Sequence, residues 1–107
     1  MSSLSTHVLD AVSGSPAPAI AVTVTGPAGA AVGAGVTNED GRIADLAPSG
    51  LPQGIYTISF ATGEYFDRIG VAAFYPKVDI TFTVTDDRHY HVPVLLSPFA
   101  FSTYRGS

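Results

Sequence analysis

The sequence predicts an all-β sandwich with one short helix. Three observations carry that prediction: short runs in which apolar and polar residues alternate, turn-forming Gly, Pro, Asn and Asp between them, and a single stretch with helical punctuation. Such runs recur roughly seven or eight times, and the 107 residues are read as one domain, 1–107, with its own core.

Leu4 to Leu9 opens the chain as a strand on which His7 and Leu9 share a face with Val8 opposite, and 13–18 is a loop by its Ser, Gly and Pro. Ile20, Val22 and Val24 alternate with Ala21, Thr23 and Thr25, the pattern of a half-buried antiparallel strand. Ala31 to Thr37 forms another, diluted by glycines. Asn38-Glu-Asp-Gly41 is a turn, because Asp-Gly reaches positive φ at little cost, and Arg42 stands at its mouth. After a loop at 47–54 comes a clean strand, with Ile55, Thr57 and Ser59 against Tyr56, Ile58 and Phe60. Thr62 to Gly70 is the helix: Thr62 as N-cap, Glu64 in the first turn, Gly70 as terminator, and Tyr65, Phe66 and Ile69 on its apolar side. Val78 to Val84 is the strongest alternation in the chain and closes at Asp86-Asp87. In the next strand His89 and His91 share one face with Pro93 and Leu95, while Tyr90, Val92, Val94 and Leu96 take the other. Ser97-Pro98 breaks it, and a last short strand runs to the end.

Composition excludes several classes. Apolar residues at 46% against 13% charged argue for a compact soluble domain, and no run approaches the roughly 18 to 20 apolar residues of a membrane span. A net charge of −4 leaves no basic footprint for nucleic acid. Cysteine is absent, which removes disulfides, thiolate metal sites and a Cys nucleophile. The start, Met-Ser-Ser-Leu-Ser-Thr-His7, lacks a basic and apolar leader, so a cytoplasmic product is expected. Low charge density points to an oligomer that covers apolar surface.

The chemistry concentrates at the two ends. The three histidines are His7, His89 and His91, and imidazoles on one face supply a general base and a hydrogen-bond partner near neutral pH. If the first strand and the His89 strand meet across a groove, His7 joins the pair. The same trio could hold zinc, although Arg42 nearby would repel a dication. As a planar fork of donors, Arg42 suits a carboxylate, an enolate or a urea-type carbonyl. The tail adds Tyr104, Arg105, a flexible Gly106 and the terminal Ser107 with its carboxylate. No Gly-x-Ser-x-Gly elbow surrounds any serine, Asp86-Asp87 reads as a turn, and no glycine loop cradles a phosphate, so no nucleotide cofactor is expected.

Thr6-His-Val-Leu-Asp10 with Gly14-x-Pro16-Ala17, the segment Phe74-Tyr-Pro-Lys-Val78, and the ending His89-Tyr-His-Val-Pro-Val-Leu-Leu-Ser-Pro98 through Tyr104-Arg-Gly-Ser107 together resemble the 5-hydroxyisourate hydrolases. These are transthyretin-related enzymes of urate breakdown. The terminal tetrapeptide separates them from the hormone-carrying transthyretins, which also lack histidines at the positions of His7 and His91. Phe99-Ala-Phe101 stands where the family often has Tyr-Gly-Tyr, and Lys77 where an acidic residue is frequent.

The resemblance implies a transthyretin-like two-sheet sandwich and a homotetramer, a dimer of dimers, with sites in the channel between dimers. It implies hydrolysis of 5-hydroxyisourate to 2-oxo-4-hydroxy-4-carboxy-5-ureidoimidazoline, with no cofactor and no metal. His7, Arg42 and His91 would be catalytic, with His7 or His91 as the base. His89, Tyr104, Arg105, Gly106 and Ser107 would join His7 and Arg42 in holding substrate. A binding module of the same fold and a zinc hydrolase are the rival readings.

Overall fold

A computed structural model describes all residues, 1–107. Two sheets face one another, as the alternation predicts. The first is six-stranded and is built around β1 (Leu4–Asp10), with β2 (Ser15–Pro16), β5 (Arg42–Ile43), β8 (Tyr90–His91), β9 (Val94–Ser97) and β10 (Ala100–Thr103). The second runs β4-β3-β6-β7, from β3 (Ala21–Thr25), β4 (Ala31–Val36), β6 (Gly54–Phe60) and β7 (Val78–Val84), all antiparallel. The inward residues of β1, β3, β6, β7, β8 and β9, among them Leu4, Val8, Val22, Val24, Ile58, Phe60, Val84, Val94 and Leu96, form one core. Each such side chain contributes about 1.5–3 kcal/mol by leaving water.

β1 has different partners at different heights on each edge. On one side it pairs in parallel with β8 at Leu4 and Ser5 and then with β9 from Val8 to Asp10. On the other it pairs antiparallel with β5 at Thr6 and His7 and with β2 at Leu9 and Asp10. The segment expected as one His-rich strand is therefore two, interrupted at Val92 and Pro93. Proline has no N–H for the ladder, and the hydroxyl of buried Thr6 donates instead to the Val92 carbonyl at 2.7 Å.

Five further expectations are corrected. β2 lies inside the segment read as loop. The first strand and the His89 strand do not face each other across a groove but lie side by side in one sheet. The helix α1 (Thr62–Arg68) has Ala61 at its N-cap, while Thr62 lies inside its first turn with a buried hydroxyl that has no partner. Tyr65 and Phe66 are buried but Ile69 is half exposed, because it lies past the last helical residue, at the C-cap. Helix packing rests on Tyr65: its hydroxyl donates to Asp10 Oδ2 at 2.7 Å, and burial together with that carboxylate pushes the phenol pKa up to about 12. Finally, the terminal strand stops at Thr103 and the last residues turn back toward β8.

Candidate active site

β1 sets the geometry. Leu4, Thr6 and Val8 point into the core, so Ser3, Ser5 and His7 share the opposite face. Register then fixes the neighbours, with His91 beside Ser5 on one flank and Arg42 opposite His7 on the other. Adjacent strands lie about 4.8 Å apart, which puts the imidazole strand and the guanidinium strand roughly 10 Å from each other across β1.

Arg42 is held by the turn before it. Asn38 Oδ1 accepts the backbone N–H groups of Asp40 at 2.9 Å and Arg42 at 3.0 Å. Gly41 takes φ of 73°, and a side chain there would overlap the Val8 carbonyl oxygen. Only glycine satisfies both demands. The guanidinium itself makes no ion pair or hydrogen bond within the chain, so its donors are available to a ligand.

The tail is fastened under the histidine strand. Gly106 N–H donates to the His91 carbonyl at 2.9 Å, and a Cβ at Gly106 would collide with the His91 ring. Arg105 stacks its guanidinium 4.3 Å from the centre of the Tyr90 ring, a cation–π contact that turns it away from the histidine face. Ser107 emerges beside His91.

A hollow of about 290 Å³ results, walled by Arg42, His89, His91, Ser5 and Ser107, with Thr6, Ile43 and Ala44 completing it. Of the side chains expected at the site, Arg42, His89, His91 and Ser107 meet here. His7 sits next to them, half-buried, opposite Arg42 in the β1–β5 register. Gly106 is the pin beneath His91. Within one chain Tyr104 and Arg105 line a different hollow, of about 170 Å³, with Phe82 and Tyr90. The carboxylate pair is a turn: Asp86 accepts from Arg88 N–H at 3.1 Å and Tyr90 O–H at 2.9 Å, and these bonds hold its carboxyl below the usual range.

Burial, then the charges of Arg42, His7 and His89, lower the His91 pKa. At neutral pH the ring is uncharged and able to accept a proton. Ser5 Oγ lies 2.8 Å from His91 Nδ1 and 2.8 Å from His89 Nε2, and Ser3 Oγ is 2.5 Å from His89 Nδ1. His91 Nε2 has no partner in the chain. Ser3 and Ser5 are not singled out by any nucleophile motif, since no Gly-x-Ser-x-Gly elbow surrounds them. The signal was present nonetheless: Ser5 shares His7's parity on β1, and Ser3, just before the strand, continues it.

Two packed sheets with one short helix and a polar hollow on the outer face of one sheet define a transthyretin-like fold. A family profile described as HIUase/Transthyretin matches residues 4–106. The chain is 44% identical over 113 residues to the 5-hydroxyisourate hydrolase of Deinococcus radiodurans, covering 97% of this chain and 95% of that one. It superposes on the structure of Klebsiella pneumoniae 5-hydroxyisourate hydrolase with TM-score 0.92 at 39% identity, covering 100% and 94% of the two chains. On sea bream transthyretin, solved in complex with thyroxine, the TM-score is 0.89 at 32% identity, with 96% and 93% covered. The chain belongs to the HIUase/transthyretin family.

Proposed function

We propose that this protein hydrolyses 5-hydroxyisourate to 2-oxo-4-hydroxy-4-carboxy-5-ureidoimidazoline in the degradation of urate. The observation that carries the reading is the convergence of an unpaired guanidinium, Arg42, with a neutral imidazole, His91, on one hollow. It is supported by the family and by relatives named for this reaction.

In this reading Arg42 holds the planar, carbonyl-rich ring with its fork of donors. His91 Nε2 takes a proton from water, whose oxygen attacks the ring carbonyl beside the departing nitrogen. Arg42 then faces the oxyanion as it forms. Collapse breaks the C–N bond, the nitrogen takes up a proton, and the new carboxyl group ionises. His7, beside Arg42, orients the ring or shares the proton traffic, and Ser107 closes one wall. The chemistry requires no metal: the base is an imidazole and the positive charge is Arg42, whose presence opposes a dication. The substrate is already an activated acyl compound, so base catalysis of the usual size, about 10²–10⁴-fold, together with the electrostatic term, suffices.

The reading also takes the protein as cytoplasmic and as a homotetramer, a dimer of dimers. Arg42 and Ser107 are exposed in a single chain, and Phe74, Phe99 and Tyr104 offer apolar surface. A neighbouring subunit would cover them and could bring Tyr104 and Arg105 to a site. No helix of the chain is long and apolar enough to cross a membrane.

The test is the decay of freshly generated 5-hydroxyisourate with and without protein, with His7→Ala, Arg42→Ala and His91→Ala alongside. Acceleration lost in the variants is expected, as is full activity after exhaustive chelation. A decay unchanged by the wild-type protein would refute the proposal, and sedimentation at assay concentration decides the tetramer.

A further inference from the structure

Hydrolysis of a ring amide to a carboxylate and an N–H consumes one water and liberates one proton. Bulk solvent is not the only exit. His91 Nδ1, Ser5 Oγ, His89 Nε2, His89 Nδ1 and Ser3 Oγ follow one another at hydrogen-bond distance, 2.8, 2.8 and 2.5 Å across the three contacts. His89 stands in the wall between the reaction hollow and a second, larger one of about 540 Å³, where Ser3 and Asp45 also lie. The row of groups therefore starts inside one hollow and ends in the other.

We propose that His91, Ser5, His89 and Ser3 form a proton relay that discharges the catalytic base to the second hollow after each turnover. The inference rests on the hydrolase reading given above. Proton counting fixes how it works. The Ser5 hydroxyl has one hydrogen to give and lies between two ring nitrogens, so one of them must carry a hydrogen and the other a lone pair. When His89 Nε2–H donates to Ser5, His91 Nδ1 accepts and its hydrogen is on Nε2. When His91 Nδ1–H donates to Ser5, His89 Nε2 accepts and its hydrogen is on Nδ1, directed at Ser3. The two rings thus always hold the same tautomer, and only the second arrangement leaves His91 Nε2 as a base. Once Nε2 has taken a proton, the Nδ1 hydrogen passes to Ser5, the Ser5 hydrogen to His89 Nε2, and the His89 Nδ1 hydrogen to Ser3 and water. One proton has moved from one hollow to the other, and both rings are left in the first arrangement, with hydrogen on Nε2. When product has left and water fills the reaction hollow, water takes the His91 Nε2 hydrogen. The same transfers then run in reverse, with water at Ser3 returning a proton to His89 Nδ1, and the second arrangement is restored.

The surroundings give the relay its direction. A cation on His91 is opposed by Arg42, His7 and His89 and by burial, whereas the far end is exposed and shares its hollow with the Asp45 carboxylate. Ser5, His89 and Ser3 are positioning and conducting groups in this scheme, not reacting ones.

Steady-state hydrolysis of 5-hydroxyisourate at neutral pH by wild type, Ser5→Ala and His89→Phe, each across a series of imidazole buffer concentrations, tests the relay. Wild type should be indifferent to buffer. The variants should lose about tenfold or more in kcat at low buffer, with KM nearly unchanged, and regain activity as buffer imidazole replaces the missing conductor. Loss without rescue means that Ser5 only orients the rings, and full activity at low buffer means that no relay operates; either overturns the proposal. Ring ¹⁵N spectra of the wild type give a readout that needs no substrate: matched tautomers at His89 and His91 are required, and opposite ones refute the relay. Failure of the wild type to hydrolyse the compound at all would instead overturn the hydrolase reading, and the relay's role with it.

Discussion

Gly106→Ala isolates the contribution of His91 placement without touching any group that reacts. Gly106 does not occupy the left-handed region, so alanine can adopt its backbone and the effect is one of space. A Cβ there would overlap His91 Cδ2 and stand 3.1 Å from Cγ and 3.3 Å from Cβ, inside the roughly 3.5–4.0 Å at which carbon atoms rest against each other. Either the imidazole or the tail must move by about an ångström, and a misplacement of that size costs on the order of 100-fold in rate. If the tail moves instead, the 2.9 Å bond from Gly106 N–H to the His91 carbonyl is lost, a change of only about 1 kcal/mol in stability. The expected outcome is kcat/KM down about 100-fold with a melting temperature lowered by no more than a few degrees, read by hydroxyisourate decay and by thermal unfolding of the same sample. Wild-type kcat/KM in a folded Gly106→Ala protein would refute the claim that the tail fixes the imidazole.

Other outcomes follow from the same geometry. Arg42→Lys keeps the charge but not the planar fork, so activity should fall about 10²-fold with stability unchanged; equal activity would show that a point charge is enough. Gly41→Ala should also reduce activity through Arg42, because the turn must shift to clear the Val8 carbonyl, and an unaltered variant would show that the turn does not set the guanidinium. The lowered His91 pKa favours the neutral ring in the folded state. Its contribution to stability is therefore present above the unfolded value near pH 6.5 and is lost as pH falls through the lower folded pKa. Activity on substrate should decline over that same acid window, and His91→Gln should flatten the stability profile there; a rate independent of pH across the window would remove His91 as the base. Tyr65→Phe leaves the buried Asp10 carboxylate without its phenol partner and should cost about 1–3 kcal/mol in denaturant unfolding while kcat holds, and a large loss of kcat would mean that α1 couples to the site.

The sequence by itself determined the sandwich, because period-two alternation with turn residues leaves few alternatives, and it determined that His89 and His91 share a face, because strand parity is local. The resemblance carried by the two ends of the chain determined the family. What it could not determine was adjacency. That β1 pairs in parallel with β8, setting Ser5 beside His91, is a matter of which edges meet over a common core, and no local pattern encodes it. The same holds for the tail: an alternating run to the last residue reads as a strand, yet Arg105 is drawn onto Tyr90 and Gly106 onto His91, contacts that exist only once distant segments have packed. Local periodicity determines which way a side chain points; only burial of the shared core decides what it finds there.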